Sequence, residues 1–183
     1  ATIKKLKKAG AELIEIAPQQ PPFNGFITLL NIDMKHDLPK YLTDNKIASV
    51  LIKNVKDVIL FNKQDSLQRA PYGQQLFEGI VKDTTTLAQL EIVKQNLKLD
   101  GENYLKALKE QNLDAILSIN NYHSGIAAVS FHPTLTVPMG YKKSGEPISL
   151  TFVGVPFSED KLLSLRYAYE QLTKARKIPK NYQ

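Results

Sequence analysis

The segment HPTLTVPMGYKKSGEPISLTFVG, residues 132–154, constrains the fold of this chain more than any other. Two apolar runs, Thr134 to Met139 and Ile148 to Val153, flank a turn rich in Lys, Ser, Gly and Pro. Apolar residues alternate with Thr and Ser along these runs, which is the period of a β-strand. We therefore predict two buried strands joined by this turn, with Pro and Gly at their borders.

Helix and strand patterns also alternate in the rest of the chain. A short helix is predicted to end at Gly10, and an apolar run from Ala11 to Ala17 predicts a strand after it, as in the units that build parallel sheets. Three prolines in PQQPPFNG predict a loop, because proline has no backbone donor for a sheet. The segment LDAILSI, residues 113–119, predicts a short buried strand. The overall pattern is α/β.

Several helices are predicted from their boundary residues. Asn54 followed by Asp57 has the form of an N-cap with an acidic residue at the third helical position, so a helix should run from Val55 to about residue 62. In residues 31–45 the apolar positions suit one helix face, but an interior proline costs about 3 kcal/mol, so Pro39 either interrupts this helix or starts a new one. Two further amphipathic helices are predicted on either side of Asp100–Gly101.

The last predicted helix follows the second core strand. Ser158 is a suitable N-cap, and two acidic residues come directly after it, where the helix dipole favours negative charge. Basic residues should fill the final turn, and Pro179 should end the helix. The residues expected on its buried face are Leu162, Leu165, Tyr169 and Leu172.

Composition excludes several classes of protein. The chain of 183 residues has no Cys, which excludes disulfides, thiolate nucleophiles and Cys-based zinc sites and is compatible with a reducing, cytoplasmic setting. No apolar run approaches the ~20 residues that span a bilayer, and no leader peptide is recognisable. The net charge is +6, and the densest run of basic side chains is Lys4, Lys5, Lys7 and Lys8. Without interleaved aromatic residues, this run favours a solvated helix face over a nucleic-acid site.

The search for chemistry finds one polar patch. His36, His123 and His132 lack the spacing of metal ligands, and no Gly-rich phosphate loop or GxSxG elbow is present, so we expect no metal and no cofactor. Ser124 is adjacent to His123, but neighbouring residues rarely face each other productively. The patch Asn120, Asn121, Tyr122 and His123 follows a predicted strand directly, where α/β proteins bind ligands. It predicts either part of a substrate pocket or an ordinary polar loop.

The order of motifs along the chain is more specific than any single motif. A strand leads into Val137-Pro138-Met139-Gly140, a turn carries Gly145-Glu146-Pro147, and a strand ends at Gly154. A helix capped by Ser-Glu then carries Tyr169-Glu170 and finishes in Arg-Lys-Ile-Pro at 176–179. This order resembles the C-terminal end of the amidase signature hydrolases. Upstream, YLTDNKIASVLIKNVKDVILFNKQD and IKKLKKAGAELIEI are similar to earlier parts of the same family.

The resemblance implies part of the amidase signature fold, with a mixed sheet core covered by helices and the N-terminal catalytic portion absent. It also implies that the two strands lie in the middle of this covered sheet, where Pro and Gly shape their abrupt ends. We expect residues 1–183 to form one α/β domain with a helical, insertion-like region at about 31–112. Family members hydrolyse amides with a Ser nucleophile, a second Ser in a cis peptide and a Lys, all before the region resembled here. This chain has no Ser-Ser pair and no Gly-Gly-Ser run, so no catalytic residue can be assigned.

Three functions follow as hypotheses. The first is the C-terminal domain of an amide (C–N) hydrolase, inactive alone, which supplies sheet core and part of the pocket for a small amide. Its partner would be the N-terminal portion or another chain, and open strand edges would favour self-association without it. The second is a non-catalytic ligand-binding or regulatory module. The third, a nucleic-acid-binding protein, would show binding that depends steeply on salt. None of these requires a membrane.

Overall fold

The computed structural model describes residues 2–45 and 50–178, and in them it confirms the α/β class. The chain divides into a sheet unit, Ala1–Pro22 with Lys98–Gln183, and a helical unit, Phe23–Leu97. The strands are β1 (Ile116–Ile119), β2 (Thr134–Tyr141) and β3 (Pro147–Val153). The helices are α1 (Thr2–Lys8), α2 (Phe26–Asp44), α3 (Val55–Lys63), α4 (Ser66–Arg69), α5 (Gln75–Lys82), α6 (Leu87–Leu105), α7 (Ala107–Glu110), α8 (Ser124–Val129) and α9 (Glu159–Thr173).

The two predicted core strands form an antiparallel pair. The sheet order is β1-β3-β2, so β3 is central, whereas β2 lies at an edge of the described sheet rather than in its middle. The edge position explains why β2 tolerates Pro138, since proline cannot donate to a ladder, and the register shifts between Pro138 and Gly140. The turn is closed by a hydrogen bond from the Lys142 amide to the Glu146 carbonyl oxygen (2.8 Å). Gly145 takes the left-handed conformation there (φ 88°).

The core of the sheet unit lies between the sheet and α9. Val137, Leu150 and Phe152 on the strands pack with Leu162 and Tyr169 of α9, and all five side chains are buried. Leu165 of the predicted face is partly buried against this cluster, but Leu172 is exposed. Alternate strand residues thus point to one face of the sheet, and helix residues at 3.6-residue spacing pack against that face.

Two predictions near this core are corrected, the end of α9 and the full burial of β1. Helix α9 ends at Thr173, with Lys174 in the left-handed conformation, so the basic residues follow the helix instead of filling its last turn. The predicted stop at Pro179 lies outside the described residues. Strand β1 is only partly buried, because Ile119 is exposed at its carboxyl end while Ser118 faces inward.

The strand predicted from Ala11 to Ala17 is wrong for the described structure. The Ala11 amide donates to the Leu6 carbonyl oxygen, and no backbone-to-backbone hydrogen bond is made by residues 12–22 within residues 2–45 and 50–178. The segment does not form a β-strand because a β-strand requires a neighbouring strand to which its backbone is hydrogen-bonded. Helix α1 before it and the loop containing the three prolines after it agree with the prediction.

The helical unit is built on α2, α3 and α5. Val55, Ile59 and Ile80 form its buried cluster, with Leu38 and Phe77 packed against them. The predicted N-cap of α3 is confirmed as a full capping box: the Asn54 side chain accepts from the backbone of the first turn, and Asp57 accepts from the Asn54 amide.

Helix α2 continues through Pro39, which neither ends it nor starts a new helix. The Lys35 side chain on the preceding turn donates to the carbonyl oxygens of Val81 and Asp83, where α5 ends. Asn31 donates to the Asp83 carboxylate (3.1 Å). Hydrogen bonds from Thr85, then Asn31, hold the pKa of Asp83 below its ordinary value. These contacts hold α2 against the end of α5 one and two turns before Pro39, whose missing N–H removes one backbone hydrogen bond from the helix.

Helix α6 is continuous where two helices were predicted. A Cβ atom at Gly101 would lie 2.7 Å from the Ile126 carbonyl oxygen and 2.7 Å from Ser130 Cβ. Gly101 therefore serves close contact between α6 and α8 and does not terminate a helix. The break falls later, at Lys106. A glycine inside a helical pattern can therefore serve close packing against a neighbouring helix instead of ending its own helix, as Gly101 does.

This contact predicts opposite effects for two glycines inside helices. Gly101→Ala should lower the free energy of unfolding by about 1 to 3 kcal/mol, because the new methyl group meets backbone that cannot yield. In Gly79→Ala the nearest atom is Asn31 Nδ2 at 4.0 Å, so higher helix propensity should raise stability by about 0.5 to 1 kcal/mol. Urea unfolding of both variants measures the difference. Equal stabilisation by both alanines would show that α6 and α8 do not pack this closely.

Candidate functional site

The predicted polar patch follows β1, but its four residues have different environments. Asn121 and Tyr122 are exposed, and Tyr122 keeps 74% of its surface accessible. Ser124 donates to the Asn121 carbonyl oxygen (2.8 Å) at the start of α8, so it does not pair with His123. Asn120 and His123 point to partners elsewhere in the sheet unit. The structure therefore separates a solvent-facing half of the patch from an inward-facing half.

Asn120 holds the end of the sheet. Its amide donates to the Ser149 carbonyl oxygen, and its side-chain oxygen accepts from the Ser149 amide, each at 2.9 Å. Thr151 donates to the Asn120 carbonyl oxygen. The residue adopts the left-handed conformation (φ 51°), which Asn tolerates better than most residues. Its role in this geometry is to extend the pairing of β1 with β3 past the last strand residue.

His123 is the centre of a hydrogen-bonded network. Its Nδ1 lies 2.5 Å from Ser118 Oγ on β1, and its Nε2 lies 2.8 Å from the Tyr104 hydroxyl on α6. The Tyr104 and His123 rings are also stacked, with their centroids 5.3 Å apart. The network fixes the imidazole from both ring nitrogens and joins the strand to the helix.

The Ser118–His123 contact resembles a nucleophile with its base, but its surroundings do not suit catalysis. Ser118 is only 5% exposed, so an acyl group cannot approach its oxygen from solvent. A serine nucleophile also needs oxyanion donors beside an accessible oxygen, and the buried position of Ser118 opposite Thr151 of β3 leaves no room for an acyl group there. We assign this pair to the positioning of His123.

A cleft of about 550 Å³ opens in the sheet unit beyond Tyr104. One wall is the loop Ala17 to Pro22, and the other is formed by Asp100, Asn103, Tyr104 and Lys106. Gln20 Nε2 donates to the Tyr104 hydroxyl across the cleft (3.2 Å). None of the four predicted pocket residues lines this cleft, and His123 reaches it only through Tyr104. Their role as pocket residues stays a prediction.

The cleft combines apolar walls with neutral polar groups and two charged residues, Asp100 and Lys106. Three prolines and Ala17 form the apolar part, while Gln19, Gln20 and Asn103 offer carboxamides. The Lys106 ammonium lies 3.6 Å from the Glu110 carboxylate in an exposed i,i+4 pair, which contributes little stability. The volume of the cleft, about 550 Å³, is within the range of small-molecule pockets. Because one carboxylate and one ammonium lie in the lining, the cleft has no excess of either charge.

The other two histidines are not in the network. His36 is exposed on α2. His132 is half-buried, and its Nδ1 lies 2.9 Å from the Ser130 carbonyl oxygen. Burial lowers the pKa of His132 below its ordinary value of 6.5, and the hydrogen bond to Ser130 opposes this only partly. Among residues 2–45 and 50–178, no three His, Cys, Asp or Glu side chains come together as metal ligands.

Sequence reasoning missed two members of the network, Ser118 and Tyr104. Ser118 carried a signal, since it is the polar residue within the apolar strand ILSI. Tyr104 carried none, because a tyrosine on the apolar face of an amphipathic helix usually serves packing. Its hydroxyl partner, His123, is 19 residues away and is fixed only by the tertiary fold.

Two buried tyrosines should respond oppositely to loss of the hydroxyl. Tyr104→Phe should lower the free energy of unfolding by about 1 to 2 kcal/mol, because two hydrogen bonds are lost. The buried Tyr169 hydroxyl has no hydrogen-bond partner among the described residues, so Tyr169→Phe should leave stability unchanged or raise it by about 1 kcal/mol. Chemical unfolding of both variants gives the comparison. A larger loss for Tyr169→Phe would contradict this assignment.

His132 should make stability depend on pH in a defined direction. Its folded-state pKa is lowered, so between this value and 6.5 the unfolded chain binds a proton that the folded chain does not. Stability should therefore fall as pH falls through this window and become independent of His132 below it. His132→Asn should reduce this slope in unfolding curves measured from pH 7.5 to 4.5, and exposed His36→Asn should not. Identical slopes in both variants would contradict the prediction.

Comparison with known proteins finds consistent relatives. The chain is 32% identical over 151 residues to a probable amidase of Arabidopsis thaliana, a match that covers 81% of this chain and 29% of that protein. The structure matches an amidase family protein from Bacillus anthracis str. Ames with a TM-score of 0.87 and 37% identity, over 98% of this chain and 35% of that one. For the peptide amidase of Stenotrophomonas maltophilia the TM-score is 0.81 at 30% identity, over 97% and 39%.

The matched region is a minor part of each relative. The chain spans about a third of the length of the relatives it matches. No protein-family model matches it. Within the described residues, none of the helices combines the length and apolar character needed to cross a membrane.

Proposed function

This chain belongs to the amidase family, as a portion with the motifs of its C-terminal end, and we propose that it supplies sheet core and part of the substrate pocket of an amide (C–N) hydrolase. The observation that carries the proposal is the match to an amidase family protein over 98% of this chain at a TM-score of 0.87. The substrate would be a small amide.

The chemistry of this hydrolase would reside outside the present chain. The family resemblance implies a Ser, a second Ser and a Lys in a Gly- and Ser-rich segment, and the sequence contains no such segment. The Ser-His contact that it does contain is buried at Ser118. We therefore propose that the chain is inactive alone and shapes a pocket whose reactive groups come from another segment.

Open surfaces support the need for a partner. Strands β1 and β2 each pair only with β3 in the described sheet, so each presents one open edge. Residues 12–17 have strand-like sequence but no ladder within residues 2–45 and 50–178, and Ile14 there is 51% exposed. The partner would be the N-terminal portion of the amidase or a separate chain, and self-association would follow in its absence. A cytoplasmic location, suggested by the lack of Cys, stays part of the proposal.

A second candidate function is a ligand-binding or regulatory module without chemistry. The cleft beside Tyr104 favours it, since this cavity is formed entirely by the present chain. Such a module would bind a small amide saturably but would gain no hydrolytic activity from any added segment. The two candidates therefore differ in their response to the missing portion.

Reconstitution should distinguish the two candidates. The chain alone should hydrolyse no amide, and co-expression with the remaining two thirds of the Bacillus anthracis relative should give a complex that hydrolyses a chromogenic anilide. The physical reason is that core and pocket would then join the reactive segment. Product release and native mass spectrometry measure activity and assembly together.

The controls separate activity of the complex from that of its parts. The remaining portion expressed alone should be inactive. The chain alone should appear in native mass spectra as a mixture of oligomers, because it should self-associate without its partner. A complex without activity would favour the binding module. Hydrolysis by the purified chain alone would contradict the proposal.

A further inference from the structure

Asn24 is the one asparagine of the sequence that is followed by glycine. It lies between the loop that contains three prolines and α2, and its side chain is exposed. An asparagine can react with its own main chain, because the amide nitrogen of the next residue is close to the carboxamide carbon Cγ, and a glycine at that next position has no side chain to shield the nitrogen. Whether such a pair reacts in a folded chain depends on what holds the two groups.

Neither reacting group of this pair is held by a hydrogen bond. Within residues 2–45 and 50–178, neither the Asn24 carboxamide nor the Gly25 amide has a hydrogen-bond partner. Gly25 is the N-cap of α2, and its carbonyl oxygen accepts from the Leu29 amide (2.8 Å), while its N–H lies before the helical ladder. The carboxamide can therefore turn toward the Gly25 nitrogen without breaking a bond.

The fold requires glycine at position 25. Gly25 has a φ of 84°, in the left-handed region that favours glycine. A Cβ atom there would lie 2.7 Å from Val93 Cγ1 of α6, within the helical unit. A larger residue at this position would shield the amide nitrogen, but it would strain the backbone and collide with Val93. The reactive pair is thus a consequence of how the chain enters α2.

Asp100 and Gly101 form a chemically related pair in a different setting. An aspartate before glycine can close the same five-membered ring, but Gly101 lies inside the continuous helix α6. A helical amide donates to the carbonyl oxygen four residues earlier, which occupies the nitrogen that would attack. The Ile126 carbonyl oxygen also lies 2.7 Å from the position of a Gly101 Cβ, so the main chain there is confined. Helix α6 should therefore suppress the reaction that the entry to α2 permits.

We propose that Asn24 is a site of spontaneous deamidation. Hydroxide removes the proton of the Gly25 amide, and the nitrogen attacks Asn24 Cγ. A new C–N bond forms, the bond between Cγ and the side-chain nitrogen breaks, and this nitrogen leaves as ammonia with a proton from water. Water then opens the succinimide at either carbonyl carbon and gives aspartate or isoaspartate. The reaction needs no partner chain and is independent of the proposed amidase function.

The two products should act on α2 in opposite directions. Helix α2 has no acidic residue in its first turn and no side-chain hydrogen bond at its N-cap. Aspartate at position 24 adds a negative charge beside this helix N-terminus, where the helix dipole favours it. Isoaspartate instead adds one carbon atom to the main chain directly before Gly25, which disturbs its contact with Val93. The modification therefore changes both the charge and the geometry at the start of the helical unit.

Peptide mapping of the folded 183-residue chain tests the site. The chain and two synthetic peptides, residues 9–35 and 99–106, should be incubated together at a pH of about 8.5, digested with trypsin and analysed by mass spectrometry and isoaspartate labelling. Asn24 in the folded chain should deamidate at no less than about one third of its rate in the peptide, because nothing holds the reacting groups apart. Isoaspartate at Asp100 should form at least about tenfold more slowly in the chain than in its peptide, because α6 holds the main chain.

Two controls make the result specific to this site. Asn24→Gln keeps the carboxamide but would need a six-membered ring, so this variant should show no mass increase at position 24. Asn121 is also exposed but is followed by tyrosine, and it should stay unmodified over the same period. A rate at Asn24 below one third of the peptide rate, equal modification of Asn24 and Asn121, or equal reactivity of Asp100 in the chain and its peptide would overturn the proposal.

Discussion

The sheet unit depends on the backbone pairing of β3 with both of its neighbours. Strands β1 and β2 are not paired with each other. Each ladder hydrogen bond of the described sheet therefore has one partner in β3, residues 147–153. Leu150 and Phe152 of the same strand form the core with α9. Asn120 extends this pairing beyond β1 and thereby sets where the next loop begins. The position of His123, three residues later, follows from that anchor.

The elements that sequence predicted well are those whose signals are local. The capping box at Asn54 lies within four residues, and the alternation in β2 and β3 is visible in each strand separately. The predictions that failed concern partners distant in sequence. Gly101 was interpreted as a break because the approach of Ile126 and Ser130 cannot be read from α6 itself. Residues 11–17 have a strand pattern, but pattern alone does not provide a partner strand.

The candidate site shows the same limit in its chemistry. Residues 120–123 follow strand β1 as predicted, whereas their role in a substrate pocket stays a prediction. Which of the four turn inward depends on β3 for Asn120 and on α6 for His123. Ser118 and Tyr104 became functional candidates only because His123 contacts both. The network is therefore a property of the tertiary fold more than of any motif.

The contrast between Tyr104 and Tyr169 connects the core to the site. Both phenol rings are buried, yet one hydroxyl has two neighbours and the other has none among the described residues. A buried hydroxyl without a partner is a cost that packing of the ring against Phe152 must offset. The Tyr104 hydroxyl is different because the Gln20 carboxamide and the His123 imidazole both contact it. These contacts connect α6 to the loop at residues 17–22 and, through His123 and Ser118, to β1, so this hydroxyl links elements that are distant in sequence.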